Sequence, residues 1–100
     1  MSMSITQPAA QWFIREMDLE KGDFVRFYVR YGGHGGVYSG FSLAISNDPP
    51  NDPAMEIEEL GVTFYVETSD AWYFREHDFH IKFKRKYDEI EYQMEPIKQA

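Results

Sequence analysis

The chain has 100 residues, 43% of them hydrophobic and 17% aromatic, which is enough for one core and one domain spanning 1–100, folded over about 4–96. Seventeen acidic against ten basic residues leave a net charge of -7, which repels nucleic acid and anionic lipid. There is no cysteine, so thiolate nucleophiles, disulfides and cysteine-held metals are excluded.

Met1 to Pro8 lacks the basic and apolar run of a leader, and no apolar stretch approaches a membrane span, so a cytoplasmic protein without membrane contact is expected. After a short leading strand, Thr6 is placed to cap a helix over about 7–18, with Pro8 in its first turn. Ala10, Phe13, Ile14 and Met17 follow the i, i+3, i+4, i+7 spacing of one buried helical face. Asp18 to Asp23 is a charged turn, and beyond it Val25, Phe27, Val29 and Tyr31 alternate with Phe24, Arg26, Tyr28 and Arg30 as a strand whose outer face is partly covered.

Gly32, Gly33, His34, Gly35 and Gly36 form a permissive inter-strand loop, and Val37 to Ile45 reads as the next strand. Asn47 to Pro53 is a turn that ends this hairpin and does not continue a ladder. Met55 and Ile57, then Val62, Phe64 and Val66, alternate across a turn at Glu59 to Gly61. Thr68 or Ser69 is placed to cap a short turn whose Trp72, Tyr73 and Phe74 plug the sheet. Phe79, Ile81 and Phe83, then Ile90, Tyr92 and Met94, mark two closing strands. The expected fold is mostly β (α+β), a mixed sheet curled into a flattened sandwich or pseudo-barrel with an N-terminal helix.

Candidate chemistry is sparse. The glycine loop is followed by a strand and by no Gly-Lys-Ser/Thr, so it lacks the pattern that cradles phosphates. His34, His77 and His80 are the available metal-ligand types, yet the three-residue spacing of His77 and His80 does not put both rings on one strand face. No Gly-x-Ser-x-Gly elbow selects Ser39 or Ser42 as a nucleophile, and Lys82, Lys84, Arg85 and Lys86 precede an acidic run that offsets their field. No catalytic residue and no cofactor is assigned.

An ordered series of segments resembles the HesB/IscA-like family, the A-type carriers of iron-sulfur cluster assembly. Val25-Arg26-Phe27-Tyr28-Val29-Arg30 looks like its strand before a glycine loop, and Tyr38-Ser39-Gly40-Phe41-Ser42 resembles its Cys-Ser-Gly-aromatic-Ser/Ala segment. Gly61-Val62-Thr63-Phe64-Tyr65-Val66 resembles its glycine-led strand, while Phe79-His80-Ile81 and Ile90-Glu91-Tyr92 fall where its closing strands lie. The family's first cysteine is replaced by Tyr38, and its C-terminal Cys-Gly-Cys is missing, so the chain is similar to a cysteine-free HesB-like branch.

What the resemblance implies is a HesB-like scaffold without the ligands that hold a cluster. The function expected is non-enzymatic binding of a protein partner, accessory to iron-sulfur metabolism. Gly33, His34, Gly35, Tyr38, Ser39, Gly40 and Phe41 form the expected contact surface, and a homodimer is the association implied by relatives. The alternative is a metal carrier using His34, His77, His80 and carboxylates.

Overall fold

The computed structural model describes residues 1–32, 38 and 40–97. Strand β1 (Met3–Ile5) leads into helix α1 (Gln7–Met17), followed by β2 (Phe24–Tyr31), β3 (Phe41–Ser46), β4 (Pro53–Glu59) and β5 (Val62–Glu67). A 3-10 turn over Thr68–Phe74 precedes β6 (His77–Lys84), and a second, Arg85–Tyr87, precedes β7 (Glu89–Pro96). The described strands make a four-stranded sheet in the order β3-β2-β5-β4 and a three-stranded sheet in the order β1-β6-β7. Both are mixed, because β2 runs parallel to β5 and β1 parallel to β6. The sheets stay separate, so the chain adopts the sandwich of the two expected forms.

Period-two alternation decides which faces meet. Val25, Phe27, Phe64, Val66, Phe79 and Ile81 are buried, whereas Arg26, Lys82 and Lys84 on the same strands are not. Thr6 Oγ1 accepts from the Ala9 backbone N–H at 3.3 Å and starts α1 as expected. The helix buries Ala9, Ala10 and Phe13, and the Phe13 ring meets Phe27 and Phe64, each with centroids 5.6 Å apart. Phe27 also meets Phe79 at 5.5 Å, so four rings from four elements form the centre of the core, each stabilising the fold by about 1.5–3 kcal/mol.

Three expected boundaries are corrected. β3 starts at Phe41 rather than Val37: Gly40 sits at φ +85° and the Gly32 N–H donates to its carbonyl, closing a turn that an extended strand could not make. Val37 itself lies outside the described residues. Pro53 joins the ladder by opening β4 opposite Glu67, at a bulge, where a missing N–H is tolerated. The turn at Thr68 has Glu67 as its N-cap residue, without a side-chain cap bond, because the Glu67 carboxylate instead accepts from the backbone N–H groups of Asn51 and Asp52 at 3.0–3.3 Å.

Candidate functional site

The 3-10 turn after β5 sits at one end of the sandwich and is fixed there by a carboxylate. Asp70, 9% exposed, accepts from Arg26 Nη2 at 3.0 Å and from the Val29 backbone N–H at 3.4 Å, so it takes the place of a neighbouring strand where β2 runs beyond β5. Tyr73 and Phe74 are thereby held in the core, with Phe74 4.9 Å from Phe79, while Trp72 is held outside it at 41% exposure.

Trp72 joins a row of rings at that end. Its centroid lies 5.3 Å from Phe41 and 5.8 Å from Tyr38, and Phe41 in turn meets Tyr31 edge-on at 5.7 Å. Tyr31 is 87% exposed and Tyr38 42%, so this end presents a group of touching aromatic rings to solvent. An open hollow of about 220 Å³ adjoins Trp72, lined also by Met1, Ala71, Arg75 and Glu76. Large, stiff rings beside an arginine are the side chains that carry most of the energy in protein interfaces.

Of the residues expected to form a contact surface, Tyr38, Gly40 and Phe41 are found at this end, whereas Gly33, His34, Gly35 and Ser39 lie outside the described residues. Trp72 and Tyr31 were missed as surface residues by sequence reasoning. The sequence pattern groups Trp72 with its two core neighbours and makes Tyr31 the last inward position of β2. The available signal was Tyr31's place at the strand end beside the glycines, beyond the reach of the core.

The two described histidines fall on different faces. His77 Nδ1 bonds the Arg75 carbonyl at 2.8 Å, and three residues on, His80 falls on the other face of β6. There Nδ1 shares a 2.6 Å hydrogen bond with Ser4 Oγ, and Nε2 lies 3.2 Å from a Glu95 carboxylate oxygen. This Ser-His-Glu series was also invisible in the sequence, since its members are 76 and 15 positions apart. It lies at the surface, with the Glu95 side chain 70% exposed and that of His80 26%, so it offers acyl transfer no enclosed, low-dielectric site and serves to stitch β1, β6 and β7 together. Beside it, hydrogen bonding from the Ser2 hydroxyl holds the Asp78 carboxyl below its ordinary range. Among the described residues no three His, Cys, Asp or Glu side chains are grouped to hold a metal ion.

The basic run is solvated strand and turn. Lys82 and Lys84 stand opposite Glu91 and Glu89, and Lys84 Nζ reaches Glu91 at 3.3 Å, which lowers the Glu91 carboxyl below its ordinary range. On the outer face of the other sheet, burial and the nearby Glu67 push the Tyr65 phenol up, and its hydroxyl donates to the Asp48 carbonyl.

A two-sheet sandwich with one helix, no thiolate and a ring-lined end is therefore the class of domain to be placed. The chain belongs to the family described as iron-sulphur cluster biosynthesis, which matches residues 1–94. It is 45% identical over 95 residues to the pyruvate dehydrogenase inhibitor of Bacillus subtilis, a match covering 93% of this chain and 100% of that one. An uncharacterized protein of Staphylococcus saprophyticus is 36% identical over 95 residues, with 92% and 97% covered. Escherichia coli SufA, a protein involved in biosynthesis of iron-sulfur clusters, shares the fold with a TM-score of 0.61 at 20% identity, over 99% of this chain and 83% of that one.

Proposed function

We propose that the chain is a non-catalytic protein inhibitor that acts by docking on pyruvate dehydrogenase. The observation that carries this reading is its 45% identity across the full length of the Bacillus subtilis protein of that name. Two features support it. A chain without cysteine lacks the thiolates on which iron-sulfur clusters depend, so the scaffold is free of the carrier's chemistry. The exposed rings of Tyr31, Trp72 and Tyr38 around the half-buried Phe41, with Arg75 beside them, are the surface through which docking occurs.

The test is the rate of NADH formation by purified pyruvate dehydrogenase titrated with the chain. Saturable inhibition is expected, and Trp72→Ala should weaken it about tenfold or more, which corresponds to a lost anchor of about 1.4 kcal/mol. Full enzyme activity at saturating wild-type chain would overturn the reading. Anaerobic incubation with iron and sulfide should leave the protein colourless; a bound cluster would return it to the carriers.

A further inference from the structure

Charge is unevenly spread along this chain. Of its seventeen acidic residues none falls in 24–47, the stretch that forms β2 and β3 and holds Arg26 and Arg30. Acidic residues gather instead at the other end of the same sheet, where Glu20, Asp23, Glu58 and Glu59 flank the joined turns that enter β2 and β5. The ring end of that sheet thus escapes the acidic excess of a chain whose net charge is -7.

Two guanidinium groups stand unused at the ring end. Arg30 precedes Tyr31 on β2, across from Ser42, and Arg75 lines the hollow beside Trp72. Both are exposed, and among the described residues neither has an ion pair, unlike Arg15 with Asp88 and Arg26 with Asp70. Exposed charges more than about 8 Å apart are largely screened at physiological salt, so a docking partner meets these arginines rather than the net charge. The rest of the hollow is Met1, Ala71, the Trp72 ring and one carboxylate, Glu76. An apolar cavity of about 150 Å³ holds a benzene ring, so a hollow of about 220 Å³ has room for one leucine or phenylalanine side chain.

We propose that this end takes an acidic, apolar-anchored segment of its partner: one leucine or phenylalanine side chain seats against Trp72, and carboxylates beside it pair with Arg75 and Arg30. The proposal rests on the docking reading above and gives the partner's surface its chemistry. A guanidinium fork matches a carboxylate in two parallel hydrogen bonds, which fixes orientation as well as charge. Single-stranded nucleic acid also stacks on rings, but its run of phosphates needs a continuous basic groove, and two arginines beside Glu76 do not make one.

The test repeats the NADH assay with charge-reversed chains and at two salt concentrations. Arg75→Glu and Arg30→Glu should each weaken inhibition about three- to tenfold, and Arg75→Lys should retain most of it. Arg85→Glu makes the same change of net charge beyond the far end of β6, about 26 Å of strand away, and should inhibit as the wild-type chain does. Raising potassium chloride from about 50 to about 200 mM should weaken the wild-type chain severalfold, and the variant with both reversals less. Inhibition untouched by salt and by both reversals overturns the acidic partner and leaves docking in place. Absent inhibition by the wild-type chain overturns docking instead, and a second measurement then decides the chemistry of the surface. A short peptide of leucine flanked by glutamates should shift the Trp72 indole N–H resonance, and its lysine counterpart should not. No shift, or an equal one with the lysine peptide or with single-stranded RNA, would overturn the proposal.

Discussion

The same residue types do opposite work at the centre of this molecule and at one of its ends. Around Phe27 the rings of Phe13, Phe64 and Phe79 are fully buried and hold helix to sheet and sheet to sheet. Around Trp72 the rings of Tyr38, Phe41 and Tyr31 touch one another at similar distances of 5.3–5.8 Å, yet three of the four are more than 40% exposed. Ring contacts alone therefore do not mark a core. Water-free surroundings do, and where they are absent the rings remain available to a partner.

The sharpest way to break this contrast is to cut one ring from each group. Phe27→Ala empties the centre of the core and should cost about 3–5 kcal/mol in urea denaturation. Trp72→Ala should cost less than about 1 kcal/mol, because the side chain is already part-solvated, while reducing enzyme inhibition. Equal losses of stability would dissolve the distinction between the two ring groups.

Asp70 joins the two regions and should fall between them. Removing its carboxylate leaves Arg26, whose Nε already lacks a hydrogen-bond partner, without its ion pair, and leaves the Val29 N–H unsatisfied. Asp70→Ala should cost about 2–3 kcal/mol and also loosen the turn that presents Trp72, so both stability and inhibition should decline.

A small, pH-dependent effect is expected at Tyr92, on the seam between the sheets. Its ring lies 5.9 Å from Phe27 and 5.7 Å from Phe79, and burial pushes the phenol up to about 12 from its ordinary 10.0. The unfolded chain ionises first as pH rises, so the contribution is whole below pH 10.0 and is lost as pH climbs toward 12. With 38% of the residue exposed, solvent screens the effect, and a loss on the order of 1 kcal/mol is expected across that window. Tyr92→Phe should flatten this part of the stability profile.

Much of the fold could be read along the chain because it depends on near neighbours. Alternation in Val25-Phe27-Val29 and Phe79-Ile81-Phe83 marks strands whatever they pair with, and Thr6 with Pro8 marks a helix start by local hydrogen bonding. Boundaries were lost where a distant group competed, as when Glu67 bonded the 51–52 backbone rather than capping the next turn. Of the ring row at that end, only Tyr38 and Phe41 were legible, as parts of the Tyr38-Ser39-Gly40-Phe41 segment. Trp72 reaches that stretch through Asp70 gripping β2, a contact 44 positions long that no local pattern announces.

By itself, then, the sequence determined the strand and helix content and the absence of thiolate chemistry, through periodicity and composition, and the family, through the ordered segments that resemble it. Only the tertiary structure decided which rings stay wet, which histidine meets Ser4 and Glu95, and which arginines are left unpaired. Exposure and pairing are set by what packs alongside, and that is fixed when the two sheets close on Phe27.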